Sequence, residues 1–229
     1  MFQIHIVDRS NQCDYQIHLE QHFRLRHKIY VDERGWHDLA RPDGREVDEF
    51  DTEDATYLLA ITPGEGVVAG SRLLPSLKPH LMSEVFPQLA PSGVPKADDI
   101  YEWTRIFVVS ALREPGYPCV AAGAVYCGIL EYCLRHRIRH LSIVCETYWF
   151  DRLARLGWNP RSLGPSLVHR EETIIGLIVD MSPAALETTR RAYAIDGSVL
   201  WWKSISESEG EEAAQLRAET CNGLSQARG

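Results

Sequence analysis

The sequence predicts an α/β protein, a single domain with a mixed central sheet and helices on both faces. Three observations carry this. The 229 residues are 45% hydrophobic, enough to fill one sizeable core. The first half is rich in strand and hairpin signals. The second half alternates strand, helix, strand, helix, strand, the pattern of layered α/β folds. No internal repeat or interdomain linker interrupts it. The domain is expected over residues 1–205. The acidic tail, 206–229, is expected to be disordered because it has too little apolar content to pack.

The elements follow in order. Residues 4–7 alternate like a first strand. From Gln16 to about Val31, Leu19 with Phe23 and Leu25 with Ile29 are apolar pairs four apart, which predicts an amphipathic helix. Gly35 supplies its break, followed by Trp36. Residues 57–61 and 67–74 form a hairpin around Pro63-Gly64-Glu65-Gly66. Residues 80–89 read as a short helix or turn, and 113–118 as a loop. A small-residue start opens a helix over 119–135, followed by a buried strand at 141–145 and a helix at 148–156 stopped by Gly157. Residues 172–180 are a strongly apolar strand. Ser182 caps a helix that begins at Pro183 and runs to about Ala194. Residues 199–202 give a short last strand.

Composition excludes several classes. The formal net charge is −8, of which the five acids and two arginines from Glu207 to Gly229 account for −3, leaving −5 on the rest. An acidic chain without basic runs interleaved with aromatics does not suit nucleic acid. No apolar run approaches the roughly 20 residues that span a bilayer, so no membrane association is expected. The N-terminus alternates like a strand and is not a signal peptide. The six cysteines show neither CxxC nor metal-ligand spacing. They read as reduced core thiols of a cytoplasmic protein, with no metal.

Two stretches carry chemistry. Ile100 to Val109 is a strand with Glu102 and Arg105 inside it, and buried charges are costly unless paired. Period-two alternation sends Glu102 and Thr104 to one face and Trp103 and Arg105 to the other, although a bulge would bring Glu102 and Arg105 to one site. The alternative is an edge strand with two solvated charges. The second stretch is the acidic loop with Glu46, Asp48, Glu49, Asp51, Glu53 and Asp54, interleaved with Val47 and Phe50. Pinned beside Trp36, it is a candidate cradle for a cationic ligand.

Arg26 with Tyr30, then Gly35-Trp36, Asp48 and Asp51, Arg72 in Gly70-Ser71-Arg72-Leu73, and Glu102-Trp103-Thr104-Arg105 together resemble the signature of LuxI-type acyl-homoserine lactone synthases, the autoinducer synthases of quorum sensing. The resemblance covers about residues 4–202 and rests on eight separated positions matching together. Two departures stand out: Tyr30 where the family usually has Phe, and Thr104 where its E-x-S-R motif has Ser.

The resemblance implies a GNAT-like three-layer α/β/α sandwich with a mixed, mostly antiparallel sheet. It also implies an acyltransferase with two substrates. S-adenosylmethionine accepts an acyl group on its amine and then lactonises, releasing methylthioadenosine. An acyl thioester of coenzyme A, favoured over acyl carrier protein, is the donor; no bound cofactor is implied. A sulfonium suits an aromatic box of Trp36 and Tyr30; Phe107 is a further candidate for the S-adenosylmethionine site, and the acyl pocket is expected near Phe107 and Ile143. The ammonium suits Asp48 or Asp51, and the ligand carboxylate suits Arg26 or Arg105. The amine must lose a proton, and Glu102 is the candidate base, with Arg105 beside it. Backbone amides of the central strand are the candidate oxyanion donors. Arg72, and in part Asp51 and Arg105, fit a structural ion-pair network equally well.

For the acyl pocket the candidates are Ser142 or Ile143 and the nearby Trp149. The run Arg41-Pro42-Asp43-Gly44-Arg45-Glu46 together with Glu146-Thr147-Tyr148-Trp149 looks like the subgroup that takes branched or aryl acyl groups from coenzyme A. Arg152 and Arg155, or Arg135, Arg137 and Arg139, are candidates for docking the anionic carrier. The GNAT phosphate-loop pattern is not clear around 113–123. Two rivals remain: an ordinary GNAT-type N-acyltransferase using acetyl-CoA on another amine, and a non-catalytic ligand-binding module.

Overall fold

The computed structural model describes residues 3–113 and 119–201. Its strands are β1 (Gln3–Val7), β2 (Thr56–Thr62), β3 (Gly66–Pro75), β4 (Ile100–Val108), β5 (His140–Glu146), β6 (Arg161–Ser162), β7 (Leu167–His169), β8 (Glu172–Asp180) and β9 (Leu200–Trp201). Its helices are α1 (Gln16–Arg26), α2 (Leu81–Glu84), α3 (Val120–Arg135), α4 (Tyr148–Arg155) and α5 (Pro183–Tyr193). All described strands join one sheet in the order β6-β8-β5-β4-β3-β2-β1-β9, with β7 also on β8. Only β4/β5 and β1/β9 pair in parallel, so the sheet is mixed and mostly antiparallel.

The elements form where their residues favour them. Apolar β-branched runs make β2, β3 and β8 buried strands. Ser182 Oγ accepts the Ala185 N–H at 3.1 Å and caps α5, with Pro183 at its first position. The two strands β6 and β7 escape the sequence reading because two or three residues carry no periodicity. Helix α1 ends at Arg26, and 27–33 continues as wider turns, with Arg34 N bonding Ile29 O at 3.0 Å. The expected helix to Val31 is therefore split. The wide turns let the Tyr30 hydroxyl reach across the sheet to donate to Ile106 O at 2.7 Å.

Three layers result. The core on one face joins α3, α4 and α5 to the sheet through residues such as Trp103, Tyr126, Ile143, Trp149 and Trp158. On the opposite face α1 and the 27–33 segment pack around Tyr30, Phe50, Tyr57 and Phe107, while α2 carries Leu81 toward Phe86 and Ile174. Gly70 lets α1 approach β3, since a Cβ there would meet His22 Nδ1 at 2.8 Å and the Phe107 ring at 3.0 Å.

Two local features create the site. Strands β4 and β5 pair only through Ile100, Tyr101 and Glu102. Beyond that β4 follows β3 and β5 follows β8, so the sheet opens in a V. Within β4 the register on β3 shifts between Gly70 and Arg72, where Arg105 takes φ +55°. This β-bulge inserts one residue and reverses the alternation that follows. Trp103 and Ile106 then belong to the α3 face, and Phe107 to the α1 face.

Cys119, Cys127, Cys133 and Cys145 are free thiols, as expected. Cys13 is disulfide-bonded, a correction to the reading of six reduced thiols; the lack of a CxxC spacing does not exclude a disulfide. Cys221, Trp202 and the tail at 206–229 lie outside the described residues. No described helix is long and apolar enough to cross a membrane.

Candidate active site

A cavity of about 390 Å³ occupies the V between β4 and β5. Its wall on the α1 face holds Tyr30, Arg34, Trp36, Asp48, Thr104 and Arg105, with Leu81, Val85 and Phe86 from α2 and the turn after it. Across the opening it is lined by Trp103, Ile143, Cys145 and Trp149, which belong to the α3-face core. A charged, aromatic chamber thus meets an apolar one through the gap in the sheet.

An ion-pair network underlies the charged chamber. Arg26 bonds Glu46 at 2.5 Å and, with both terminal nitrogens, Asp51 at 2.8 and 2.9 Å. Arg72 grips Asp48 at 2.6 and 3.0 Å and touches Asp51 at 2.7 Å. Arg105 bonds Glu46 at 2.9 Å and Asp48 at 2.8 Å. Three guanidiniums therefore meet three carboxylates, and each buried charge is compensated. Burial acts to raise the Asp51 carboxyl, but Arg72 and Arg26 hold it far below its ordinary value of 3.8. Glu46 is lowered for the same reason, with Arg105 and Arg26 outweighing its burial. Thr104 Oγ1 accepts from Arg72 Nε at 3.1 Å, so the hydroxyl at the E-x-S-R position serves the network.

Beside it stands the aromatic box. Tyr30 and Trp36 stack at 5.2 Å with 14° between planes. Burial pushes the Tyr30 hydroxyl up to about 12. Guanidiniums crowd the rings: Arg34 lies 5.4 Å from Trp36, Arg170 4.9 Å from Trp36, and Arg105 5.7 Å from Tyr30. The box thus already attracts cations in this geometry. Arg34 crosses the V to Glu146 at 2.9 Å, and Arg170 pairs with Asp38.

The candidates read from the sequence separate into two groups. Tyr30, Trp36, Asp48, Arg105, Ile143 and Trp149 line the cavity. Arg26, Asp51 and Arg72 lie behind it as network members. Arg26 is 0% exposed with its donors on Glu46 and Asp51, so it does not receive a ligand carboxylate. Asp48 reaches the cavity, but its oxygens are shared by Arg72, Arg105 and the Phe50 N–H. Phe107 is packed on His22 at 5.3 Å and is not part of the lining. Ser142 is buried, its hydroxyl donating to Tyr101 O at 3.4 Å, so Ile143 is the cavity residue of that pair. Glu102 is 0% exposed, does not line the cavity, and accepts three hydrogen bonds. The bulge does bring Arg105 to the α1 face, yet Glu102 points at α2 rather than at the chamber.

Arg152 lies over the Trp149 and Tyr126 rings at 5.0 and 5.5 Å, and lines a second, shallower depression with Tyr148, Arg155 and Tyr193. Sequence reasoning gave Arg34 and Arg170 no role, and named Glu46 and Glu146 only as members of longer runs. Glu46 had a signal, since it opens the acidic run two residues before Asp48; Arg170, on the turn before β8, had none. Among the described residues no group of three or more His, Cys, Asp or Glu side chains is arranged to hold a metal.

Comparison with known proteins identifies the family. The family described as autoinducer synthase matches residues 10–189. The isovaleryl-homoserine lactone synthase of Bradyrhizobium diazoefficiens is 45% identical over 177 residues, 76% of this chain and 78% of that protein. The solved structure of BjaI, a CoA-dependent acyl-homoserine lactone synthase with SAM and isopentyl-CoA, superposes with a TM-score of 0.83 at 36% identity, covering 96% of this chain and 100% of that one. An acyl-CoA N-acyltransferase from Pseudomonas aeruginosa shares the fold alone, at 16% identity and a TM-score of 0.54 over 78% of this chain and 99% of that one, which makes the fold GNAT-like. The network, the aromatic box and the V-shaped opening are thus found in a chain that belongs to the autoinducer synthase family of acyl-homoserine lactone synthases.

Proposed function

We propose that this protein is an acyltransferase that moves an acyl group from acyl-CoA to the amine of S-adenosylmethionine and then closes the lactone. The observation that carries it is the two-chamber cavity: a cation-attracting aromatic box on one side of the V, an apolar slot on the other. S-adenosylmethionine is a sulfonium with an ammonium and a carboxylate, and it occupies the Tyr30–Trp36 chamber. The acyl chain lies along Ile143 and Trp149. The thioester carbonyl sits between them, in the opening, where the unpaired half of β4 offers backbone donors to the developing oxyanion.

Each step follows from position. Holding amine and thioester at one gap makes their reaction effectively unimolecular. The amine forms the amide bond as the carbon–sulfur bond of the thioester breaks, and the coenzyme thiolate leaves and takes up a proton. The carboxylate then attacks the carbon next to the sulfonium, forming the ester as methylthioadenosine departs. Arg152 and Arg155, beside Trp149 on α4, favour the coenzyme's phosphates. Burial pushes the Cys145 thiol up and keeps it protonated beside the thioester, so it does not compete as a nucleophile. We place the activity in a single domain, residues 1–205, in the cytoplasm. Support for the coenzyme A donor comes from the CoA-dependent relative BjaI, and the name of the 45% identical relative points to a short branched chain.

The test is incubation of purified protein with S-adenosylmethionine and a panel of acyl-CoAs, isovaleryl-CoA included, read by mass spectrometry. An N-acyl-homoserine lactone with stoichiometric methylthioadenosine is expected. Acyl transfer from acetyl-CoA to other amines, with none to S-adenosylmethionine, would instead make it an ordinary N-acyltransferase.

A further inference from the structure

Glu102 occupies the position that suggests a catalytic base, yet its surroundings describe another task. It sits on β4 opposite Leu74, with 0% exposure and no part in the cavity lining. Its carboxylate accepts from His80 Nδ1 at 3.0 Å and from the Met82 N–H at 2.6 Å on one oxygen, and from the Leu81 N–H at 2.9 Å on the other. These amides open α2. A four-residue helix does not hold itself together in water, and its first amides need acceptors. Glu102 supplies them from the central strand, while Ser83 Oγ accepts the His80 N–H at 3.1 Å.

His80 is as buried as Glu102, and its Nε2 has no hydrogen-bond partner among the described residues. An unpartnered buried nitrogen is costly, and the contact of the other ring nitrogen with Glu102 is the polar interaction set against that cost. The consequence lies a few residues on. Leu81, Val85 and Phe86 form the apolar wall of the chamber that holds Tyr30 and Trp36, and Phe86 meets His169 edge to face at 5.0 Å. Where this wall stands is decided by where Glu102 and His80 anchor α2.

We infer that Glu102 and His80 form a positioning clamp that sets the apolar wall of the S-adenosylmethionine chamber, and that Glu102 does not take the proton from the amine. This rests on the function proposed above. Leu81, Val85 and Phe86 offer an apolar face against which the flat adenine ring of the substrate can pack, so the clamp acts on substrate binding rather than on proton transfer. The ammonium proton is lost to solvent at the open cavity, and the second proton, released as the amide forms, goes to the departing coenzyme thiolate.

The test compares His80→Leu, His80→Asn and Glu102→Gln with the parent protein. Readouts are binding of S-adenosylmethionine by calorimetry, kcat and KM for both substrates, and the pH profile of kcat. His80→Leu is expected to raise the dissociation constant and KM for S-adenosylmethionine about tenfold, with kcat at saturation and KM for acyl-CoA within about threefold. His80→Asn, which keeps a donor near the Nδ1 position, restores most of the affinity. Glu102→Gln follows His80→Leu and keeps the acid limb of the pH profile. A loss of about 10²-fold or more in kcat for Glu102→Gln, with KM for S-adenosylmethionine unchanged, makes Glu102 the base and overturns the proposal. Should Glu102→Gln fail to fold, unchanged binding in His80→Leu overturns it alone. A parent protein that binds no S-adenosylmethionine sinks the proposed function, and the clamp with it.

Discussion

Arg105 takes a left-handed backbone conformation at φ +55°, which costs a non-glycine residue roughly 1–2 kcal/mol. Its hydrogen bonds to Glu46 and Asp48 offset that cost. The ion pairs around it do not themselves imply great stability, because desolvation offsets most of their attraction; removing one partner is a different matter. Asp48→Asn leaves Arg72 and Arg105 short of a countercharge and is expected to destabilise the protein by about 3–5 kcal/mol in urea unfolding. His22 and Asp51 are two of the groups that shape the acid side of the stability curve. His22 is buried, and that burial, with Arg26 nearby, holds its pKa well below 6.5. The unfolded chain then binds the extra proton, so stability is present above about pH 6.5 and falls by up to about 1.4 kcal/mol per pH unit below it. Asp51, with its folded pKa far below 3.8, adds a second loss below about pH 4. Unfolding followed from pH 7.5 to 2.5 should show both slopes, and His22→Leu should reduce the first and leave the second.

At the scale of elements, the separation of β4 from β5 makes the cavity, and close packing elsewhere holds that shape. Gly70→Ala would place a methyl against His22 and Phe107 and push α1 off β3. Overpacking of this kind costs about 1–3 kcal/mol, measurable as a lowered urea midpoint. Trp149 closes the apolar chamber on the α3 face, where it meets Trp103 edge to face at 5.7 Å. Trp149→Ala should lengthen that chamber. The expected outcome in the acyl-CoA panel is a shift of preference toward longer chains, by about tenfold or more in the ratio of kcat/KM values, given the roughly 1–3 kcal/mol that one methylene contributes in an apolar pocket. An unchanged ranking would remove Trp149 from the acyl pocket.

Across the whole molecule, Arg34–Glu146 and Arg170–Asp38 tie the α1 face to the far side of the V. Both pairs are partly exposed. Such pairs contribute about 0–1 kcal/mol, so Arg34→Gln should shift the unfolding midpoint little, and high salt should have a similarly small effect on the parent. These ties shape the mouth of the cavity more than they stabilise the fold.

The sequence by itself determined the layered α/β architecture, the hairpin, the central strand with its charges, and the family, because periodicity, turn residues and an ordered set of charged positions are local or spacing signals. It also supplied most of the network: Arg105 was legible as a charge too costly to bury alone, and Arg26, Asp48, Asp51 and Arg72 through the family resemblance. Only the tertiary structure decided what each one faces. A single inserted residue at Arg105 reverses the alternation of β4, so no period-two argument assigns Arg105 its face. Glu102 and Phe107 were placed at the ligand by their neighbours in sequence, whereas packing turns one toward α2 and the other toward α1. Side-chain direction depends on register and contact between segments far apart in the chain, and those are fixed only when the sheet is assembled.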